Sequence, residues 1–176
     1  FLPQLSSAQT SFGPETVSRA PDGSVTVRAV RIPDGLSLDG SLDEPYYSTV
    51  LPITGFVQQE PNEGQPTTEK TEAWIFFDDD NLYISARLWD SEPEREIANE
   101  MRRDSSGILQ NENFGVLIDT FYDKRTGYLF QSNLLAGKRD STVTEPRQDI
   151  NWNTVWDVRT ELFDQGWTIE LDRKSV

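Results

Sequence analysis

The chain has no histidine and no cysteine among its 176 residues. Their absence excludes the usual zinc sites, disulfide bonds, thiol catalysis, the serine–histidine–aspartate triad and histidine-ligated haem. Carboxylates, amides and carbonyls remain as metal ligands, and these hard oxygen donors suit calcium. We therefore expect no zinc and no haem, and calcium is the one candidate cofactor.

Basic residues are also few: 16 lysines and arginines face 30 aspartates and glutamates, which gives a net charge of −14. A negative field of this size repels phosphate backbones and anionic membrane surfaces, so no nucleic-acid partner is expected. Long apolar runs are missing as well, and no stretch of the sequence reaches the length of a transmembrane helix. Neutral ligands and divalent cations remain compatible with this composition.

Aromatic residues, in contrast, make up 11% of this polar chain. They favour strands and flat platforms for ligands. The length fits one domain. Residues 1–23 are rich in Ser, Pro and Gly and are predicted to form an N-terminal tail or linker, followed by a domain at residues 24–176. The first nine residues resemble the remnant of an export signal, which predicts a secreted, periplasmic or outer-membrane-associated protein.

Short alternating segments separated by turn residues dominate the domain. The clearest is residues 82–89, which is predicted to form a hairpin with residues 71–77. Further short elements are predicted as strands at residues 25–29, 36–40, 53–60, 114–121, 128–135, 141–144, 155–162 and 167–171, with one helical turn at residues 43–47. The pattern predicts an all-β fold, a two-sheet antiparallel β-sandwich with jelly-roll or immunoglobulin-like wiring.

One short helix is predicted after the hairpin, at residues 94–102. Ser91 and Glu94 have the spacing of a capping box in front of it. Ile97 and Met101 lie one turn apart, which predicts a buried side for this helix.

Several short motifs follow one another in a definite order along the chain. They are Leu38-Asp39-Gly40-Ser41-Leu42-Asp43-Glu44-Pro45, Phe56-Val57-Gln58-Gln59-Glu60-Pro61, Phe76-Phe77-Asp78-Asp79-Asp80-Asn81-Leu82-Tyr83-Ile84, Trp89-Asp90, Arg102-Arg103-Asp104, Ile118-Asp119-Thr120-Phe121-Tyr122-Asp123 and Gly166-Trp167-Thr168-Ile169-Glu170. In this order they resemble family 9 carbohydrate-binding modules, most closely the version at the N-terminus of large bacterial outer-membrane proteins whose remainder is a predicted β-barrel. The resemblance implies a β-sandwich, sugar binding, calcium in some relatives and an extracytoplasmic location.

Two departures from the family pattern stand out. A tryptophan that is common after the first motif is replaced here by Tyr46 or Tyr47. The family usually continues after the last motif with an Ile-Pro-Phe strand, whereas this chain has Leu171-Asp172-Arg173-Lys174-Ser175-Val176. The last strand is therefore predicted to be truncated or altered, with its exposed edge covered by a partner or by another region.

Sugar binding needs flat aromatic faces for the C–H face of the ring and polar side chains for the hydroxyls. Trp152 is predicted to lie in a loop as a platform and Trp89 to lie at a rim, with core packing as the alternative for both. Trp74, Trp156 and Trp167 are assigned to the core. The polar wall of the pocket is predicted to consist of Arg103, Asp104, Asn113, Asn133, Arg139 and Asp140.

Acidic side chains near strand ends are the candidate calcium ligands. The predicted set is Asp78, Asp80, Asp90 and Asp119, with Asp104 and Asp123 as alternatives. A plain turn is the favoured interpretation of the run of aspartates at residues 78–80, because Asp and Asn are common in tight turns for backbone reasons. A solvated acidic face is the alternative for the others.

Three functions fit these observations. The first is non-catalytic carbohydrate binding by a secreted or cell-envelope module that is part of a polysaccharide-utilisation protein. The second is glycoside hydrolysis by a pair of carboxylates, but no motif isolates such a pair. The third is a structural or docking domain that assembles with itself or with an outer-membrane barrel. We favour the first and expect no enzyme activity from the domain itself.

Overall fold

The structure is a computed structural model that describes residues 16–95 and 98–174. It consists mainly of strands, with one α-helix, α1, at Pro45–Thr49 and short 3₁₀ segments at Pro93–Arg95 and Ser106–Gln110. In chain order the strands are β1 Val17–Arg19, β2 Val25–Val27, β3 Val30–Arg31, β4 Thr71–Phe77, β5 Asn81–Trp89, β6 Asn113–Ile118, β7 Thr126–Asn133, β8 Lys138–Thr144, β9 Arg147–Asp149, β10 Asp157–Phe163 and β11 Gly166–Lys174. Among the described residues, no helix is long and apolar enough to cross a membrane.

Two sheets form the body of the domain. A five-stranded sheet has the order β10-β11-β5-β4-β3, and a four-stranded sheet has the order β6-β7-β8-β9. Neighbouring strands are antiparallel except β3 and β4, which run parallel over two residue pairs. The predicted all-β sandwich is therefore confirmed, with one parallel pair at an edge. The strands β1 and β2 pair with each other in a separate small sheet, so β1 lies within the segment predicted to be a tail.

The core lies between the two sheets because alternate residues of both point inward. Phe130 of the four-stranded sheet and Trp167 and Ile169 of the five-stranded sheet belong to one buried cluster. Trp156 joins it just before β10, with its ring centroid 5.4 Å from that of Phe130 in an edge-to-face arrangement. Removing these large apolar surfaces from water is the main term that stabilises the sandwich.

The outer face of the five-stranded sheet carries a second buried cluster. Trp74 and Phe76 of β4 point to this face, and Tyr47 of α1 packs against both rings at centroid distances of 5.3 and 5.5 Å. The core assignments of Trp74, Trp156 and Trp167 are confirmed, since each side chain is at most 3% exposed. Of the two tyrosines that follow the first motif, Tyr47 is a buried core residue and Tyr46 packs partly buried against the same cluster.

A buried carboxylate, Glu170, ties the N-terminal motif to this face. One of its oxygens accepts hydrogen bonds from the backbone N–H groups of Asp39 and Gly40, and the other accepts from the hydroxyl of Tyr47. Gly40 has φ 96°, and a Cβ there would lie 2.7 Å from the backbone of Thr160. The first motif, with Asp39 and Gly40, and the last motif, with Glu170, are therefore bonded to each other and have a structural role. Only glycine fits at position 40.

The predicted helix at residues 94–102 is wrong. Only Pro93–Arg95 forms a 3₁₀ turn, and residues 98–105 are irregular, while Ile97 lies outside the described residues. Backbone N–H groups that a helix would need for its own hydrogen bonds donate to a side chain instead. The side-chain oxygen of Asn111 accepts from the N–H groups of Asn99 and Glu100, and such local bonds compete with the helix.

Two predicted strands and the expected truncation also differ from the structure. Residues 36–40 form no strand, and residues 53–60 contribute only isolated bridges at Ile53 and Val57. In contrast, β11 extends to Lys174 and pairs with β10 on one side and with β5 on the other. The last strand is therefore an internal strand of the sheet, and no unpaired edge arises there.

Candidate functional site

A buried aspartate, Asp140, forms the centre of the predicted polar wall. Its side chain is 0% exposed and accepts hydrogen bonds from the guanidinium of Arg103, from the indole N–H of Trp156 at 3.1 Å and from the backbone N–H of Thr154 at 2.9 Å. The backbone N–H of Asp140 in turn donates to the carboxylate of Asp104 at 3.3 Å. The structure thus brings Arg103, Asp104 and Asp140 together, and their contacts fasten the segment before β10.

A buried amide, Asn133, forms a second polar centre. Its side-chain nitrogen donates to the carbonyl of Glu100 and to the side-chain oxygen of Asn111, at 2.6 and 2.8 Å. Its side-chain oxygen accepts from the N–H groups of Leu135 and Gly137. All four hydrogen-bonding positions of this amide are used within the protein.

These two residues therefore correct the predicted pocket wall. Asn133 and Asp140 are both 0% exposed and fully engaged with other protein groups, so neither presents an atom to a sugar. The cause lies in the strand register, which turns Asp140 to the core beside Phe130. A buried polar residue in a strand has the same sequence signature as an exposed one.

The other predicted wall residues are scattered around this region. Arg139 lies on β8, is 8% exposed and bonds the side chain of Gln131. Asn113 begins β6, is exposed, and its amide donates to the carbonyl of Asn111 at 2.9 Å.

Trp89 lies at the end of β5 on the outer face of its sheet. The ammonium group of Lys70 lies 4.0 Å from its ring centroid, and Phe163 meets the ring edge-to-face at 6.0 Å. A sugar could stack on the face of the ring that Lys70 covers only by displacing the ammonium group.

Trp152 is half-buried and packs against the core from the segment after β9. Its ring lies 5.0 Å from that of Tyr128 with a tilt of 35°, and 6.2 Å from that of Phe130. This tryptophan therefore packs against the ring of Tyr128 and is not an isolated platform in a loop.

A cleft opens beside Tyr128 at the end of the sandwich where β6 ends and β7 begins. Its inner part has a volume of about 170 Å³ and is lined by Leu82, Ile118, Thr120, Tyr128, Phe130 and Arg173. An adjoining part of about 240 Å³ shares Thr120 and Tyr128 and adds Phe121, Thr126, Gly127, Thr142, Val143 and Thr144. We call this two-part site the Tyr128 cleft.

The cleft combines an aromatic surface with polar groups that the protein does not use. Thr126 donates its hydroxyl to Asp123 at 2.7 Å. Within residues 16–95 and 98–174, the hydroxyls of Thr120, Thr142 and Thr144 make no side-chain hydrogen bond. The guanidinium of Arg173 makes one bond, to the neighbouring carbonyl of Lys174. Hydroxyl and guanidinium groups are the donors that fix a polar ligand over an apolar platform.

The loop that forms the rim of the cleft is braced by two aspartates. Asp119 accepts from the N–H groups of Phe121 and Lys124, at 3.0 and 2.7 Å. Asp123 accepts from the N–H of Thr126 at 2.7 Å, and hydrogen bonds from Thr126 lower the pKa of this carboxyl. The bracing holds Phe121 74% exposed and Tyr122 83% exposed, with Tyr122 at φ 53°. Such a conformation persists only where its surroundings enforce it.

Three of the four predicted calcium ligands, Asp78, Asp90 and Asp119, accept hydrogen bonds from their own turns. Asp78 accepts from Tyr83, Asp80 and Asn81, and these bonds, that of Tyr83 first, lower its pKa to about 2. Asp90 accepts from the N–H of Glu92 at 2.7 Å, and Asp119 caps the rim loop. Across the described ranges, no group of three or more acidic residues is placed to hold a metal ion. Calcium at Asp78, Asp80, Asp90, Asp119, Asp104 or Asp123 stays a prediction.

The cleft residues were missed because they come from separate strand ends. Tyr128 is the third residue of β7, Thr142 lies near the end of β8, and Arg173 is the last residue but one of β11. One sequence signal could have found the rim, namely the adjacent aromatics Phe121 and Tyr122 in a turn otherwise made of polar residues. Large aromatics in a turn lack a core to pack in, which favours a role at the surface.

Solved structures with a similar fold are known, although the comparisons by sequence found no match. No protein-family model matches the chain, and no curated protein does. A family 9 carbohydrate-binding module from Caldicellulosiruptor kristjanssonii, solved in complex with glucose, is similar with a TM-score of 0.58 and 16% identity, over 84% of this chain and 69% of that one. The structure of a family 9 module from the same organism in complex with cellotriose has a TM-score of 0.52 and 15% identity, over 84% and 67% of the two chains. The chain has the fold of a family 9 carbohydrate-binding module, as its motifs predict.

Proposed function

We propose that this domain binds carbohydrate without catalysis and that the Tyr128 cleft holds the sugar. The observation that carries the proposal is the cleft itself. It joins aromatic rings from Tyr128 and Phe121 to threonine hydroxyls and a guanidinium. The fold neighbours were solved with glucose and cellotriose, which supports a saccharide as the ligand class.

In the proposed complex, the C–H face of a pyranose ring lies against the ring of Tyr128. Trp152 fixes the orientation of that ring from behind, and Phe121 covers the outer side. The sugar hydroxyls pair with Thr120, Thr142 and Arg173. This division of labour is typical of sugar sites, where stacking contributes affinity and hydrogen bonds contribute orientation.

Another cleft is a weaker candidate because its lining is polar and contains no aromatic ring. It has a volume of about 460 Å³ and is lined by Gln58, Glu60, Pro61, Asn62, Thr67, Thr68, Glu69 and Thr71. It offers many polar groups but no aromatic ring. A sugar there would gain hydrogen bonds in competition with water and little stacking, so the Tyr128 cleft is favoured.

The experiment is calorimetric titration with glucose and cellotriose. We expect dissociation constants between about 1 μM and 1 mM. Tyr128→Ala should weaken binding about tenfold or more, because it removes the platform, and Tyr128→Phe should retain it. Trp89→Phe is the matched control and should leave affinity unchanged. No heat from either sugar with a folded sample would contradict the proposal, as would undiminished binding by Tyr128→Ala.

Three further properties belong to the same proposal and rest on the sequence resemblance. The domain is part of a secreted or cell-envelope protein that uses polysaccharides, it has no hydrolytic activity of its own, and calcium stabilises it. Cell fractionation tests the first, and incubation with oligosaccharides followed by product analysis tests the second. A melting temperature that is the same with calcium and with chelator would contradict the third.

A further inference from the structure

The two sheets have four edge strands, and three of them are protected against pairing with another chain. β3 has two residues and β9 has three, with Pro146 directly before β9. β10 is longer but carries Asp157, Arg159 and Glu161. Short length, proline and charged side chains are the usual means by which a sheet edge is kept from pairing.

The fourth edge strand, β6, has none of these protections. Its six residues, Asn113–Ile118, include no charged side chain and no proline. Gly115 is exposed and Leu117 is 58% exposed. An apolar, exposed edge of this length is a template for an additional strand.

The hydrogen-bond pattern identifies which backbone groups are available. The N–H of Leu134 donates to the carbonyl of Glu112, so Glu112 is in a hydrogen-bonded pair with β7. Since such pairs alternate in an antiparallel ladder, every second residue from 112 to 118 bonds inward. The backbone groups of Asn113, Gly115 and Leu117 point to the free edge, and they make no other backbone hydrogen bond within the described ranges.

We infer that β6 receives an extended strand from a different polypeptide, with alternating apolar residues flanked by lysine or arginine. Glu112 and Asp119 stand at the two ends of the strand, and the chain carries a net charge of −14. A second copy would bring the same ends and the same net charge, which repel each other. A basic partner is attracted to Glu112 and to the net negative charge of the chain, and its main chain pairs with the three free positions.

The test uses a synthetic peptide of alternating valine and threonine with two lysines at each end, and a second peptide with glutamates in place of the lysines. Fluorescence anisotropy at low salt should detect binding of the lysine peptide, and about tenfold weaker or no binding of the glutamate peptide. Gly115→Pro should abolish binding, because it removes a free-edge N–H that β7 does not use. Gly115→Ala is the matched control, since a Cβ there meets its nearest neighbour, Gln131, at an ordinary 3.4 Å.

Three results would overturn the inference. The first is failure of both peptides to bind a monomeric, folded protein. The second is equal binding of the lysine peptide by Gly115→Pro and Gly115→Ala. The third is a concentration-dependent dimer that Gly115→Pro dissociates, which would make a second copy the occupant. Leu117→Lys provides an independent variant, and it should weaken binding of the lysine peptide about tenfold, because a cation on the edge strand repels the lysines of the peptide.

Discussion

Two regions of this domain combine aromatic rings with polar side chains, and they use them in opposite ways. Around Asp140 and Asn133, the polar atoms are buried and bonded to the protein. In the Tyr128 cleft, three threonine hydroxyls line an open surface and bond to no described side chain or backbone group. The first arrangement holds loops in place, whereas the second leaves donors and acceptors for a ligand. Composition alone does not distinguish a binding site from a structural centre, but satisfaction of hydrogen bonds does.

The largest expected effect comes from the structural centre. Asp140→Ala leaves the guanidinium of Arg103, the indole of Trp156 and the N–H of Thr154 without their acceptor. We expect a loss of about 3 kcal/mol in the free energy of unfolding, because buried charged and polar groups lose their partners. Urea unfolding followed by tryptophan fluorescence measures it.

The matched control for this variant is Asp79→Ala. Asp79 pairs with Arg31 at the surface, where its side chain is 83% exposed, so a change of about 0 to 1 kcal/mol is expected. At temperatures where Asp140→Ala is folded, its affinity for sugar should equal that of the unchanged protein. If Asp140→Ala left the unfolding midpoint unaltered but abolished sugar binding, the region around Asp140 would be the binding site and not a structural centre.

A smaller effect is expected from the cleft. Thr142→Val keeps the shape of the side chain and removes its hydroxyl. Sugar affinity should fall by a factor of about 3 to 10, the value of one hydrogen bond, while the unfolding midpoint stays within error. Thr67→Val, in the cleft without an aromatic ring, should leave affinity unchanged. Equal losses in both variants would show that the sugar does not distinguish the two clefts.

The smallest effect concerns another buried carboxylate, Glu170, which has no cationic partner among its hydrogen bonds. Burial raises its pKa above the ordinary value of 4.5, and bonds from Gly40 and Tyr47 oppose the shift. A carboxyl with a raised pKa binds more protons in the folded state, so stability falls as pH rises through the window above 4.5. Glu170→Gln should remove this part of the pH dependence.

Urea unfolding at a series of pH values from 5 to 8 checks this prediction. The difference in stability between the unchanged protein and Glu170→Gln should shift in favour of the variant as pH rises. Asp78 behaves in the opposite way, since its pKa is lowered to about 2 and its contribution is lost only as pH falls toward that value. A pH-independent difference would contradict a raised pKa for Glu170.

The sequence predicted the fold well where periodicity decides it. The hairpin of β4 and β5 follows from strict alternation, and the sandwich follows from many such segments. The prediction of a helix at residues 94–102 was wrong because Asn111, which lies beyond the segment, accepts hydrogen bonds from the backbone N–H groups of Asn99 and Glu100. The polar wall was misassigned in part, since Asp140 lies opposite Phe130 on the inner face of its sheet, and burial of a polar strand residue depends on such long-range contacts.

The cleft could not be predicted for a related reason. Thr120, Tyr128 and Arg173 are far apart in the chain and meet only because three strands end at one edge of the sandwich. Trp152 was predicted to serve a sugar as a platform, and in the structure it packs behind Tyr128. The residue type was informative, but which ring presents its face to solvent depends on the packing.

The central claim is that sugar binds in the Tyr128 cleft, and NMR tests it most directly. Backbone amide shifts should be followed while glucose and then cellotriose are added to the labelled domain. We expect the largest changes at Thr120, Tyr128, Thr142 and Arg173, with little change at Arg103 or Trp89. Changes centred on Arg103 and Asp104, or on Trp89, would contradict the claim and place the site elsewhere on the sandwich.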